Sequence, residues 1–566
     1  MSSSGPRPAL FCLGSAAPDR VVTMEQPSTP LCLAVIIALA APLFLIGLGS
    51  TALYDPDEPY YAVPAREMLQ SGSWQVPLFR GEPWFDKPIL FYWIVLAAYK
   101  SLGVSELAAR LGSALAALGG LLAVFAFGRG MEREHRGALV SSLVLATTVG
   151  YAVAARAAVT DMTLTALLAA GMLAAARHLA GGGIRMAWLA GAAFGLGALT
   201  KGPVAILIPV VALGAYGLIT RRADLARPRA LAAAAGGFVL LAAPWYLYMA
   251  LAYPSLLVKD FLESGNLGRF VHPEHVTFPF YYAVVLAAGL MPWSVALPAA
   301  LVRAGGRSTR SEERTPGRHP GALFLLCWFG SVVLIFSAAA SKLPSYLLPA
   351  FPPAALLLGS FWRQELPEET AARPRRPARL TALLGVPLAL ILAGAAVQTA
   401  RGHAWDVVVP PTVALGALLV IGSILAALAV ARGSLRWLTY THCATTLAVL
   451  IALLGVVMPR LEPFHSTRPL VRELQAAGLN GQVIGTYKVS DVSLDYYLGR
   501  NPARHDRMKQ VIDAVRKQPG SIWVVRTQDV DSLLAEPRFT AQLIHRGPSR
   551  SALRLSTASG FEAENR

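Results

Sequence analysis

Residues 31–48 read LCLAVIIALAAPLFLIGL, eighteen positions without a charged side chain. A bilayer core about 30 Å thick is spanned by about 20 apolar residues in helical form, so this stretch reads as a membrane span. Directly beyond it the character reverses: residues 54–61 are YDPDEPYY, with Asp55, Asp57 and Glu58 falling within four positions. The alternation of long apolar run and short charged gap then recurs as far as residue 458. Of the 566 residues 55% are hydrophobic and 15% charged, and the mean hydropathy is +0.50. An ordinary soluble chain carries about 25% charged residues, so the apolar excess here is assigned to lipid contact.

Thirteen runs are long enough to count as spans: 31–49, 106–128, 137–155, 158–177, 186–200, 203–220, 229–252, 280–302, 321–340, 345–362, 380–398, 409–431 and 438–458. Only Thr200-Lys201-Gly202-Pro203 separates the fifth and sixth, which fits either a helical hairpin or a broken helix. The net charge of +17 resides in the gaps rather than on one basic face, which speaks against a nucleic-acid partner. Alternate gaps hold 21 arginines on one side and 11 lysines and arginines on the other. Since cytoplasmic loops retain positive charge, the N-terminus is expected in the cytoplasm and, with an odd number of spans, the C-terminal tail outside.

The expected organisation is a cytoplasmic tail at 1–30, a membrane domain at 31–458 with its long outer loop at 50–105, and an outer domain at 459–566. Met24 is an alternative start, and the first apolar run lacks a cleavage motif and reads as a retained anchor. The last segment carries short β-like runs at 482–488 and 521–527 around a helical pattern at 507–517, a small α/β domain. The fold class is therefore an all-α polytopic membrane protein with about 13 transmembrane helices and a small C-terminal α/β soluble domain. Cys12, Cys32, Cys327 and Cys443 show no Cys-x-x-Cys spacing, which supports neither a disulfide framework nor a zinc ribbon.

Ionisable residues beside apolar spans are costly and mark functional candidates. On the outer side they gather in three places. The first is the loop after the first span, where 59–70 and 88–102 read as amphipathic helices lying in the interface around GEPWFDKP at 81–88. Carboxylates there suit proton acceptance or cation binding, against the alternative that they solvate a loop. Lys87 suits a phosphate clamp, against the alternative of a snorkelling anchor. The second is Asp161 at the start of an apolar helix, where it is also a favourable cap. The third combines Arg269 and Lys342, both suited to phosphate, with His272 and His275, three apart beside Glu274 and the candidate ligands of a divalent metal. No other cofactor is expected.

The ordered motifs at Asp57 to Met68, Gly81 to Pro88, Thr160 to Met162, Thr200 to Pro203, Pro244 to Tyr246, Arg269-Phe270, Pro279 to Tyr282, Pro292-Trp293 and Lys342 to Pro349 resemble the bacterial aminoarabinose transferase family. That family lies within the protein O-mannosyltransferase-like group of GT-C glycosyltransferases, and the resemblance covers roughly residues 31 to 458. It implies an enzyme of the inner membrane that moves a sugar from a polyprenyl (undecaprenyl) phosphate donor to an outer-face acceptor, lipid A or another envelope glycan, with membrane lipid as its surroundings. In its terms Asp57 matches an acidic residue near the reacting centre, Lys87 a lysine holding the donor phosphate, and Asp161 the second acidic position. Glu58 joins these carboxylates as a catalytic candidate. Arg269, Lys342 and Tyr346 match pocket positions, and Asp86, Tyr61, Arg66 and Lys201 complete the expected substrate contacts.

Two positions depart from the family pattern: Tyr60 stands where arginine is common, and Asn266 where histidine is common. They leave the donor sugar open. A transporter or flippase of lipid-linked sugars is the rival class, and a protein O-mannosyltransferase-like enzyme the nearer alternative. A transporter carries mid-depth charges and internal repeats, whereas the charges here collect at one face.

Overall fold

The computed structural model describes residues 27–132, 135–271, 278–307, 319–366, 376–402 and 406–558. Most of it is helix, and the helices fall on the apolar runs: Thr29–Leu45, Glu106–Glu132, Thr160–Arg177, Gly183–Lys201, Val204–Thr220, Pro228–Ala252, Ala322–Ala338, Arg376–Gly402, Val409–Ala431 and Leu435–Ala452. Among the described residues, six helical segments are long and apolar enough to cross a membrane, and four shorter apolar helices accompany them. The run at 280–302 is split into Tyr281–Gly289 and Leu297–Arg307, and that at 345–362 into a tight turn Pro344–Ala350 and the helix Phe351–Glu365. Prolines explain both breaks, since Pro292 and Pro349 bring no backbone N–H.

The break expected near residue 202 is a true reversal. Gly202 has φ 91°, ending Gly183–Lys201 before Val204–Thr220 begins. Where helices cross, small residues let backbones meet: a Cβ on Gly191 would stand 1.8 Å from the Ala234 carbonyl oxygen, an impossible approach. Helix packing is thus the role of the Gly191-x-x-x-Gly195 spacing. The Pro228–Ala252 helix also leaves Leu240 and Leu251 61% and 76% exposed, a surface that only lipid satisfies.

Pro59–Ser71 and Leu90–Leu102 form as expected, the first ended by Gly72 at φ 73°. Between them β1 (Leu78–Phe79) and β2 (Glu82–Pro83) make a small hairpin that presents the Asp86-Lys87 segment. The helical path after Leu435 continues past residue 458 to His465. Beyond it β3 (Val483–Tyr487), β4 (Ala503–His505), β5 (Ser521–Arg526), β6 (Phe539–Arg546) and β7 (Arg550–Thr557) form one sheet in the order β4-β3-β5-β7-β6. Its β3–β4 and β3–β5 pairs are parallel, and β5–β7 and β6–β7 antiparallel. The central strand β5 carries Ile522, Trp523, Val524 and Val525 fully buried, as expected of a strand covered on both faces.

Charged bonds fasten this domain to the segment that follows the first helix. Arg80 holds Asp495 with two bonds of 2.8 and 3.0 Å, Arg504 adds a third of 3.1 Å, and Asp495 is fully buried. Arg468 pairs with Glu462 and Glu106. Removing one partner of a buried pair strands the other charge, so Asp495→Ala is expected to loosen the domain by about 3–5 kcal/mol. Limited proteolysis of membranes checks this: faster release of a C-terminal fragment than in wild type is expected, and an unchanged rate would refute it.

Candidate active site

Thr160–Arg177 and Gly183–Lys201 run antiparallel, turned about at Gly181 and Gly183, both with positive φ. The first helix therefore begins, with Asp161, at the end where the second finishes, with Lys201. An acid at a helix start and a base at a helix end both favour the helix dipoles. Lys201 Nζ lies 2.5 Å from Asp161 Oδ1 and 4.5 Å from the ring centroid of Tyr346. Three of the residues expected at the site, far apart in sequence, thus meet, with the ammonium over an aromatic face.

Tyr61, on Pro59–Ser71, extends this cluster. Burial above all, and the nearby Asp86, Asp161 and Asp57 carboxylates, push its phenol well above the usual tyrosine value. Tyr61 therefore stays neutral, a hydrogen-bond donor among acids. Lys87 is 7% exposed, and its Nζ donates to Asp86 Oδ2 at 2.7 Å and to the Asp86 carbonyl at 3.0 Å. That carbonyl faces the wide-turned helix Leu257–Gly268, where a Cβ on Gly265 would stand 3.7 Å from it. The chain continues into Arg269–Val271, and the Ala340 amide donates to the Phe270 carbonyl at 2.9 Å. The backbones of the Arg269 and Lys342 segments are thereby neighbours. Lys342 Nζ itself donates to the Ala339 carbonyl at 2.6 Å.

Asp57 is exposed while Glu58, the next residue, is buried. Glu58 and Arg110 bond through two contacts of 2.7 Å. The remaining capacity of the Glu58 carboxylate is taken by the backbone amides of Ala158, 2.8 Å, and Tyr54, 3.1 Å. Arg110 in turn donates to the carbonyls of Leu48, Thr51 and Ala52. Every strong acceptor position on Glu58 is occupied, so the catalytic role expected of it gives way to a structural one. Arg66 also departs from the expected substrate contact. Its Nη1 donates to the carbonyls of Asp495 and Tyr496 at 3.0 and 2.9 Å, so it bolts the helix Pro59–Ser71 to the C-terminal domain.

His272 and His275 lie outside the described residues. Among those described, no group of three or more His, Cys, Asp or Glu side chains is disposed to hold a metal ion. Sequence reasoning missed Arg110, counted as a loop charge, although an arginine five residues into an apolar helix is itself the signal of a buried partner. It grouped Asp55 with the loop carboxylates but missed the partner it takes in the C-terminal domain. Asp55 Oδ1 accepts from the backbone amides of Val492 and Ser493, both at 2.9 Å, while Oδ2 is enclosed without a hydrogen bond.

Burial, then the neighbouring Asp491 carboxylate, pushes the Asp55 carboxyl up to about 7, against the opposing pull of Ser493 and Arg550. A carboxyl whose folded value exceeds its unfolded one stabilises the fold most at low pH, and that stability is lost as pH rises through the folded value. Wild type is therefore expected to lose stability between about pH 4 and pH 7 through this group. Asp55→Asn should flatten that slope in melting curves taken across the window, and an unchanged slope would dismiss the assignment.

The family model for dolichyl-phosphate-mannose-protein mannosyltransferase matches residues 31–258. An undecaprenyl phosphate-alpha-4-amino-4-deoxy-L-arabinose arabinosyl transferase of Edwardsiella ictaluri is 32% identical over 467 residues, 79% of this chain and 80% of that protein. The enzyme of the same name from Erwinia tasmaniensis is 35% identical over 324 residues, 56% of each chain. Among solved structures, ArnT from Cupriavidus metallidurans bound to undecaprenyl phosphate superposes with a TM-score of 0.76 at 22% identity, covering 94% of this chain and 99% of that one. That likeness establishes the GT-C fold. With four fifths of a relative's length matched above 30% identity, the resemblance read from the motifs holds: the chain is a multi-pass membrane glycosyltransferase and belongs to the undecaprenyl phosphate-aminoarabinose arabinosyl transferase family.

Proposed function

We propose that this protein transfers a sugar, of aminoarabinose type, from undecaprenyl phosphate to a phosphate of lipid A. The observation that carries the reading is the convergence of Asp161, Lys201 and Tyr346, with Tyr61, Asp86 and Asp57 alongside, at one end of the helices. Both substrates would be lipids with their polar heads at the membrane edge, so a one-ended polar site suits them. An acceptor phosphate oxygen attacks the anomeric carbon, the bond from that carbon to the donor phosphate oxygen breaks, and undecaprenyl phosphate leaves with the electron pair. Lys87 holds the departing phosphate charge, and Lys201 is the second cation within reach of it. A phosphate acceptor is already ionised, so Asp57 has no proton to remove and instead orients the sugar or balances its developing positive charge.

Charge bias between the gaps supports thirteen crossings of the inner membrane, with the N-terminus in the cytoplasm and residues 459–566 in the periplasm. The helices shorter than a full span belong to this count because flanking residues and local thinning accommodate a short span. Deleting the protein from its host and weighing the lipid A species tests the reaction. Loss of a mass equal to one amino-pentose, restored by wild type and not by Asp57→Asn, is the expected result. Unchanged lipid A would remove lipid A as the acceptor.

A further inference from the structure

The loop that carries Asp57 is not held by the membrane helices alone. Asp55, two residues earlier, accepts the amides of Val492 and Ser493 at 2.9 Å on one oxygen. Its own amide donates to the His465 carbonyl at 2.9 Å. On the same loop, the Leu53 amide donates to the Tyr497 hydroxyl at 2.8 Å, and the Tyr54 hydroxyl to the Met458 carbonyl at 2.6 Å. Four bonding groups within three successive residues thus face the C-terminal part of the chain, more than 400 positions away. On the receiving side Asp491 is locked by Arg550 through bonds of 2.5 and 2.6 Å, so the two amides that meet Asp55 are offered from a rigid platform anchored in β7.

From these contacts we propose that Asp55 is a positioning residue for sugar transfer: through it the C-terminal domain sets where Asp57 stands relative to the donor. The proposal rests on the function proposed above for Asp57. On its other flank Asp57 adjoins Glu58, which Arg110 fixes to the membrane domain. Asp57 is therefore exposed, with Pro56, between two anchors, one in each domain, and both contribute to its position. Misplacing a reacting group by about 1 Å costs about a hundredfold in rate. The C-terminal domain then contributes to turnover without contributing a group that touches the substrate.

The test uses the full-length protein in lipid nanodiscs, with undecaprenyl phosphate-aminoarabinose and lipid A as substrates, comparing wild type, Asp55→Ala and Asp55→Asn. Asparagine keeps an acceptor oxygen for the two amides and alanine does not. Asp55→Ala is expected to lower kcat at least about tenfold with the donor KM changed less than about threefold, and Asp55→Asn to recover most of the rate. Hydrogen exchange at residues 53–58 should rise in the alanine variant only, whatever the substrate. Wild-type kcat in Asp55→Ala would overturn the proposal, as would equal impairment of both variants or unchanged exchange. If wild type transfers no sugar while exchange still rises in Asp55→Ala, the reaction assigned above fails and the tie between loop and domain stands.

Discussion

Lys87→Ala is expected to reduce sugar transfer by at least about a hundredfold while the protein inserts and folds, because the proposed phosphate clamp loses its cation where negative charge would develop on the departing phosphate. Lys87 is 7% exposed and already compensated by Asp86 at 2.7 Å. A lysine that merely anchored the loop to the headgroups would instead snorkel outward. The same substitution takes the Lys87 ammonium away from Asp86 in a half-buried setting, so a melting curve accompanies the rate measurement. Lys87→Arg keeps the charge but offers a planar fork in place of a compact ammonium, and partial activity is expected. Wild-type turnover in Lys87→Ala, measured in nanodiscs against both substrates, would remove Lys87 from the site and with it the proposed phosphate clamp.

Arg110→Ala is expected to abolish accumulation of folded protein. The guanidinium is 3% exposed and binds the Glu58 carboxylate through two bonds while serving three backbone carbonyls. Breaking such a pair leaves a buried carboxylate uncompensated at a cost of about 3–5 kcal/mol, a large share of the stability of most domains. The carbonyls of Leu48, Thr51 and Ala52, just beyond the first apolar helix, lose their donor at the same time. Glu58→Ala should behave alike, since either change dismantles one network. Size-exclusion chromatography of detergent extracts reads the outcome. A monodisperse, wild-type-like Glu58→Gln protein devoid of transferase activity would return Glu58 to the reaction and contradict the structural role argued for it.

These two residues show what was legible beforehand. The sequence motifs selected Lys87, Asp161, Lys201 and Tyr346, and the last three do meet: an acid at a helix start and a base at the following helix end share one end of an antiparallel pair, and Tyr346 joins them from the turn Pro344–Ala350. The same motifs selected Glu58 and Arg66, whose side chains turn to structural partners. Nothing local separates Asp57 from Glu58. Their difference depends on Arg110, 52 positions on, and on the Ala158 amide, 100 positions on.

From the sequence by itself one reads that the chain is a membrane protein, that its charges gather in the gaps between apolar runs, which family it belongs to and that a small α/β unit follows the helices. These are matters of composition, periodicity and motif order, each carried by residues close together in the chain. Tertiary structure alone decided which carboxylate is exposed and which is buried in a bonded pair, and that the C-terminal unit grips the loop through Asp55, Arg66 and Arg80. The physical reason is that the free energy of a charged side chain is set by its desolvation and by the partner that offsets it, and here those partners come from segments up to several hundred residues distant.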